Sequence, residues 1–198
     1  ARGGHRTVLG TPETLAIMEV RYGPQPGQAI NYGETLRLGE VDIRFVPAGH
    51  VLGSAQIVLE YKGERVVVSG DYKRRPDPTC AAFEPVPCDI FITEATFALP
   101  VFRHPDTADE ISRLLVTLAA QPERSVLIGA YALGKAQRVI AELRRSGYHE
   151  ALFIHGALQK LCDLYTDWGV ELGELRPITG LKPADLRGRI IIAPPSAL

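Results

Sequence analysis

Residues 41–71 read VDIRFVPAGHVLGSAQIVLEYKGERVVVSGD, and the spacing of their apolar residues predicts consecutive β-strands. Apolar and polar residues alternate from Val41 to Phe45 and again from Ile57 to Tyr61, as in strands with one buried face. Lys62-Gly63-Glu64 is typical of a tight turn, and the apolar run that follows it, Arg65–Val68, predicts a strand buried on both faces. This stretch therefore predicts an antiparallel sheet in the first half of the chain.

Further elements are predicted on either side of this stretch. Before it, Gly3-Gly4 predicts a loop and Thr7-Val8-Leu9 a strand, and Thr11-Pro12 then predicts the start of a helix that ends at Gly23. After it, Asp89–Thr93 predicts another buried strand, which ends at Glu94. The first hundred residues are therefore expected to be rich in β-structure.

The pattern changes near Pro100. Thr107–Glu110 has the form of a capping box, and apolar residues at helical spacing follow it. The chain then alternates between strand and helix, which predicts a parallel sheet flanked by helices. The predicted elements are strands at Ser125–Ala130, Leu152–Ile154 and Arg189–Ile192 and a helix at Gly134–Arg145. The expected fold class is α/β, with a boundary between residues 1–100 and residues 101–198.

Composition limits the classes of function. The 198 residues carry 22 basic and 23 acidic side chains, so binding of nucleic acid by overall positive charge is excluded and any such contact must be local. The three cysteines, Cys80, Cys88 and Cys162, have neither metal-site nor redox spacing, which favours reduced thiols and a cytoplasmic location. No apolar run is long enough to cross a bilayer, so no membrane association is expected.

Three residues with metal-binding or acid–base side chains follow predicted strands. They are His50, Asp71 and Glu94, and the first two are flanked by small residues that let a backbone pass close to a bound group. Imidazole and carboxylate together suit zinc or manganese, and a carboxylate can bridge two ions. The alternative is that His50 is a hydrogen-bonded structural residue and Gly70-Asp71 a common turn pair. Two ligands are also fewer than the three that a catalytic zinc ion requires.

Three segments together resemble successive motifs of one protein family. They are Gly49-His50-Val51-Leu52-Gly53-Ser54-Ala55, Ser69-Gly70-Asp71-Tyr72 and Thr93-Glu94-Ala95-Thr96-Phe97, and their order and spacing are similar to those of β-CASP nucleases of the metallo-β-lactamase fold. Residues 71–78 and 97–105 resemble the bacterial DNA ligase-associated exonuclease subgroup in particular. Residues 129–137 and 191–196 resemble parts of the inserted β-CASP domain.

The resemblance implies a fold and a set of roles. The fold would be part of a metallo-β-lactamase αββα sandwich (residues 1–100) followed by an inserted β-CASP α/β domain (residues 101–198). His50 would bind a metal, Asp71 would bridge two zinc ions, for which manganese could substitute, and Glu94 would orient a ligand histidine. An activated water would attack phosphorus, so no protein nucleophile is needed.

The resemblance also has gaps. The family's signature His-x-His-x-Asp-His and its late histidine are absent, so we expect the chain to be truncated at both ends and to be inactive by itself. In the complete protein the resemblance implies a DNA exonuclease for end repair, with single-stranded DNA as substrate and ATP-dependent DNA ligase and a helicase as partners. Two alternatives stay open: an RNA-processing nuclease of the same fold, and a non-catalytic β-CASP-like scaffold.

Two groups of residues are weaker candidates for contact with nucleic acid. Lys73, Arg74 and Arg75 follow Asp71 and could meet backbone phosphates, although a solvated basic turn would have the same sequence. Lys135, near the start of a helix, and Tyr131 could combine a phosphate contact with a ring on which a base stacks. Tyr131 could equally be part of the core.

Overall fold

The structure is a computed structural model that describes residues 5–197, so the loop expected at Gly3-Gly4 lies outside the described residues. The chain divides into two units, with the boundary between Ala98 and Leu99. The elements of the first unit are β1 (Val8–Gly10), α1 (Pro12–Tyr22), β2 (Gly27–Ala29), β3 (Thr35–Leu38), β4 (Val41–Pro47), β5 (Ala55–Tyr61), β6 (Glu64–Val68) and β7 (Ile90–Ile92).

A five-stranded sheet in the order β3-β4-β5-β6-β7 forms the centre of the first unit. Strands β3 to β6 are antiparallel neighbours, which confirms the predicted meander, and β7 runs parallel to β6. The turn between β5 and β6 has positive φ at Lys62 and Gly63, as a two-residue hairpin turn requires. Inward side chains Val46, Val58 and Val67 form a buried cluster under the middle of the sheet.

Helix α1 begins and ends where the sequence predicts. The Thr11 hydroxyl accepts a hydrogen bond from the Thr14 amide, Pro12 is the first helical residue, and Gly23 ends the helix with a φ of 80°. The Thr11 hydroxyl also donates to the Gly53 carbonyl at 2.7 Å, which fastens the helix to the turn between β4 and β5. Strands β1 and β2 pair in parallel beside α1.

Strand β7 contradicts the prediction of a buried strand at residues 89–93. Ile90, Phe91 and Ile92 are 51%, 45% and 54% exposed, so both faces of the strand are accessible. The reason is its position: within residues 5–197, β7 is the last strand of its sheet and pairs with β6 alone. An apolar run indicates that a strand tends to be buried. It does not show whether the strand lies in the centre or at the edge of its sheet. Strand β6 is likewise only half-buried along most of its length.

The second unit contains a parallel sheet with helices, as predicted. Its sheet has the order β10-β9-β11-β8, and every neighbouring pair is parallel. The elements are α2 (Thr107–Ala120), β8 (Val126–Gly129), α3 (Lys135–Arg145), β9 (Leu152–Ile154), α4 (Gly156–Asp167), β10 (Leu175–Pro177) and β11 (Ile190–Ala193), with 3₁₀ turns at Pro183–Leu186 and Pro195–Ala197.

Some elements differ from the sequence prediction. Helix α2 is capped by Asp106, whose carboxylate accepts from the Ala108 amide at 2.8 Å, and not by Thr107 as the capping-box pattern indicated. An aspartate one residue earlier supplies a stronger acceptor for the same free amides. Helix α4 was not predicted, although its buried residues Leu158, Leu161, Cys162 and Tyr165 have helical spacing. Strands β2, β3 and β10 have three or four residues each and are too short for a clear pattern. None of the helices described in residues 5–197 is long and apolar enough to span a bilayer.

Arg144, in the last turn of α3, connects three chain segments of the second unit. Its guanidinium donates hydrogen bonds to the carbonyls of Tyr148, Glu150, Leu172 and Glu174, at 2.6–2.9 Å. A flexible lysine in its place would lack the planar array of donors that reaches all four oxygens. Arg144 therefore fixes the connection from α3 to β9 and the approach to β10.

We expect Arg144→Ala to lower the free energy of unfolding by about 2–3 kcal/mol, because partly buried carbonyls lose their partners. Urea unfolding followed by circular dichroism measures this change. Arg145→Ala, at the exposed neighbouring position, is the matched control and should change stability by no more than about 0.5 kcal/mol. Equal effects of the two substitutions would contradict the role given to Arg144.

Candidate metal centre

The position of His50 is set by a tight turn after β4. The Ser54 hydroxyl accepts hydrogen bonds from the backbone amides of His50, at 3.0 Å, and Val51, at 3.1 Å. The Ser54 amide donates to the Val51 carbonyl, and the Ala48 amide donates to the Ser54 carbonyl. The backbone on both sides of His50 is therefore fixed by Ser54, whose role the strand and spacing pattern does not reveal.

The segment that carries Asp71 packs directly on this turn. The Lys73 amide donates to the Ala48 carbonyl at 3.0 Å, and the Glu84 amide donates to the Pro47 carbonyl at 3.2 Å. Gly49 makes the contact possible: it has a φ of 70°, and a Cβ there would lie 2.4 Å from the Lys73 carbonyl oxygen. The two loops are thus held together by backbone, through a position where only glycine fits.

His50 and Asp71 come together at one edge of the sheet, as their positions at strand ends predict. His50 Nε2 lies 3.7 Å from Asp71 Oδ2, and both side chains are exposed. Two donors bound at about 2.1 Å to one tetrahedral zinc ion lie about 3.4 Å apart, so the observed separation fits a shared ion after a small adjustment. The chemistry of the pair, one imidazole and one carboxylate, also fits zinc or manganese.

The pair supplies only part of a ligand set. Within residues 5–197, no group of three or more His, Cys, Asp or Glu side chains is arranged to hold a metal ion. A catalytic zinc ion has three protein ligands, so His50 and Asp71 fit a metal but do not complete its coordination.

Glu94 lies just after β7, with its carboxylate directed to a local turn. Its Oε2 accepts a hydrogen bond of 2.6 Å from the Thr96 amide. This bond, a further one from the Thr96 side chain and the nearby His50 lower the pKa of Glu94 below its ordinary value. Glu94 is therefore ionised at neutral pH. The strand end that carries it is tied to the end of β6, because the Ser69 amide donates to the Ile92 carbonyl and the Ser69 and Thr93 hydroxyls lie 3.2 Å apart.

The basic residues after Asp71 have different environments. Lys73 is half-buried and forms an ion pair with Asp77, whose other oxygen accepts from the amide and hydroxyl of Thr79. Arg74 and Arg75 are exposed. A phosphate contact by Lys73 would have to compete with Asp77.

The remaining candidates, Tyr131 and Lys135, belong to the second unit. Tyr131 lies in the loop between β8 and α3, and Lys135 is the first residue of α3. Lys135 Nζ is 5.3 Å from the centroid of the Tyr131 ring. The ring is 65% exposed, which excludes the reading of Tyr131 as a core residue.

Comparison with known proteins finds relatives along most of the chain, although no family model matches it. A probable DNA ligase of Opitutus terrae is 28% identical over 200 residues, which cover 98% of this chain and 19% of that protein. Ribonuclease TTHA0252 of Thermus thermophilus is 33% identical over 173 residues, covering 74% of this chain and 39% of the relative. The endoribonuclease YSH1 of Eremothecium gossypii is 32% identical over 117 residues, or 57% and 15% of the two chains.

The chain thus spans less than half the length of these relatives. A solved structure of a protein of unknown function from Enterococcus faecalis V583 has the same fold over 95% of this chain and 55% of its own, with a TM-score of 0.60 and 11% identity. Two of these relatives are named nucleases, and the similarity to the probable DNA ligase and to ribonuclease TTHA0252 extends over both units. The chain is therefore homologous, over both units, to β-CASP proteins of the metallo-β-lactamase fold.

Proposed function

We propose that the protein is a metal-dependent phosphodiester hydrolase whose centre includes His50 and Asp71. The observation that carries the proposal is the 3.7 Å separation of His50 Nε2 and Asp71 Oδ2, two exposed side chains from loops that follow different strands. A structural histidine would be expected to be buried and to use its ring nitrogens in hydrogen bonds to the surrounding protein. The exposure of this pair instead favours a role in binding.

Each residue has a distinct part in the proposed chemistry. Zinc or manganese bound here would supply an activated water and would stabilise negative charge on the phosphate. His50 would bind through Nε2 as a neutral imidazole, and Asp71, with two oxygens, would reach two ions at once. Glu94, as an ionised carboxylate, would orient a ligand histidine.

The two exposed arginines next to the centre would bind the substrate. Arg74 and Arg75 follow Asp71 by three and four residues, and each presents forked donors that match a phosphate group. Because the net charge of the chain is -1, such a local contact is needed to attract a polyanion.

Single-stranded DNA is the substrate that we favour, with exonuclease action in end repair beside an ATP-dependent DNA ligase and a helicase. This choice is supported by the relative that aligns with nearly the whole chain, which is named a probable DNA ligase. RNA is the second candidate, because the relatives with identities above 30% are named ribonucleases. A cytoplasmic location suits both substrates.

The test uses the product of the complete reading frame, with zinc or manganese, on single-stranded DNA and RNA of matched sequence labelled at either end. Stepwise shortening of DNA from one end, absent in the Asp71→Ala variant, is the expected result. Preferential cleavage of RNA would replace the DNA assignment by the RNA-processing one. No cleavage of either strand and no bound metal would overturn the proposal and favour the scaffold.

A further inference from the structure

The loop between β8 and α3 presents an aromatic ring in an unusual setting. Tyr131 lies two residues after the end of β8, an edge strand of the second sheet, and is 65% exposed. Lys135 places its ammonium 5.3 Å from the ring centroid. An exposed tyrosine with a cation beside it is a suitable surface for a flat ligand that carries negative charge.

The loop beneath the ring is fixed by one fully buried side chain. Gln137 Oε1 accepts a hydrogen bond from the Gly134 amide at 2.8 Å, and Nε2 donates to the Ala132 carbonyl at 3.0 Å. Nε2 also lies 3.4 Å from Cys162 Sγ, on α4. A buried amide is costly unless its hydrogen bonds are made, and here two of them fasten the loop and the third contact reaches α4.

Backbone hydrogen bonds complete this arrangement. The Ala136 amide donates to the Tyr131 carbonyl at 3.1 Å, and the Lys135 amide donates to the Leu133 carbonyl at 3.0 Å. The backbone that carries the ring is therefore held before any ligand arrives. A ligand that stacks on a fixed ring loses less conformational entropy than one that must first order a loop.

We propose that Tyr131 is a stacking platform for a base of single-stranded nucleic acid, with Lys135 as its phosphate contact and Gln137 as the residue that positions both. This inference rests on the proposed function for the class of substrate. In the free protein Lys135 lies beside the ring. On binding, the base takes the ring face and the ammonium turns to the adjacent phosphate, because stacking of a base is stronger than an exposed cation–π contact.

The chemistry of the two side chains selects this ligand over others. The ammonium of Lys135 repels cationic partners, which excludes a methylated amine or an arginine-rich peptide as the group on the ring. Stacking on a phenol ring does not depend on the identity of the base, so the platform is expected to accept any sequence.

The closing experiment measures binding without hydrolysis. The chain, in EDTA, is titrated into a fluorescently labelled short oligothymidylate and into an abasic strand of the same length and charge, and anisotropy gives the two dissociation constants. We expect the base-bearing strand to bind more tightly. Tyr131→Leu should weaken its binding about tenfold and leave the abasic strand unaffected, whereas Tyr131→Phe should retain binding.

Substitutions of Lys135 and of Gln137 are expected to change different measured quantities. Lys135→Gln should weaken binding of both strands to the same extent. It should also reduce the slope of log affinity against log salt concentration by about 0.7. Gln137→Met should lower the preference for the base-bearing strand while the melting temperature stays above that of the assay. Substitution of a residue that supports only the fold would not change the ratio of the two dissociation constants. Trp168→Leu, which removes another exposed ring of the same unit, is the matched control and should change nothing.

Three results would overturn the inference: no binding of oligothymidylate at low salt, equal affinity for the two strands, or an unchanged preference in Tyr131→Leu. Because EDTA removes metals from the assay, these results are independent of the hydrolysis test. A negative binding result would not contradict the nuclease proposal. Likewise, a negative hydrolysis result would not contradict the binding measured in EDTA.

Discussion

Asp71→Ala is expected to lower the rate of strand hydrolysis by the complete protein by about a thousandfold or more, without unfolding it. Removal of a carboxylate that holds metal takes away several kcal/mol of transition-state stabilisation, and about 4 kcal/mol corresponds to about a thousandfold in rate. The fold should persist because the side chain is 72% exposed and stands in a loop. Initial rates with end-labelled DNA, bound metal by elemental analysis and circular dichroism measure the three quantities.

Glu94→Gln is the graded comparison for this experiment. It keeps an oxygen that can accept from the Thr96 amide but removes the negative charge, so the rate should fall by only about 10–100-fold. A smaller loss with Glu94→Gln than with Asp71→Ala is the ranking that the assigned roles require. Unchanged turnover in Asp71→Ala would show that Asp71 is not part of the metal centre.

Gly49→Ala is expected to be the most damaging single-methyl change in the first unit. The added Cβ would lie 2.4 Å from the Lys73 carbonyl oxygen and 2.8 Å from the Phe83 amide nitrogen, and both of these atoms are backbone and cannot rotate away. Strain from the positive φ and overpacking together should cost about 3–5 kcal/mol. The two loops would separate, and metal binding by His50 and Asp71 would be lost with them.

Gly63→Ala provides the matched control. Gly63 also has a positive φ, of 88°, but nothing lies within 4 Å of the position that its Cβ would take. Only the backbone strain remains, about 1–2 kcal/mol. Urea unfolding by circular dichroism compares the two variants, and zinc titration shows whether the site survives. Equal destabilisation would show that contact between the loops contributes nothing.

The fold was predicted where short-range patterns decide the structure. Alternation from Val41 to Tyr61 gave the antiparallel strands, and the strand–helix alternation after Pro100 gave the parallel sheet. The error at β7 concerns long-range context. Nothing in Ile90–Ile92 distinguishes an edge strand from a central one, since that property depends on which chain segments lie beside it. At the start of α2 the cap is Asp106 and not the predicted Thr107, because neighbouring acceptors compete for the same backbone amides.

The candidate site was predicted in the same partial way. Positions at strand ends were enough to bring His50 and Asp71 to one edge, because β4 and β6 both run antiparallel to β5 and so end at the same edge. The residues that hold them in place, Ser54 and Gly49, have common types and no diagnostic spacing. The role of Gly49 depends on its contact with Lys73, more than twenty residues away, which no local pattern contains. Ser54 acts within its own turn, on the amides of His50 and Val51.

The strand order of the second sheet has a consequence for how the chain acquires its structure during synthesis. Among the strands of the described part of the chain, β8 pairs only with β11. Strand β11 also separates β8 from β9, although it is made more than sixty residues after β8. Strands β9 and β10 can pair as soon as both leave the ribosome. Strand β8, and with it the loop of Tyr131, must wait for the last strand, because a parallel partner distant in sequence cannot be replaced by a local hairpin. The binding loop is thus among the last parts of this unit to be fixed, and the late event is the arrival of Ile190–Ala193 between two strands that are already present.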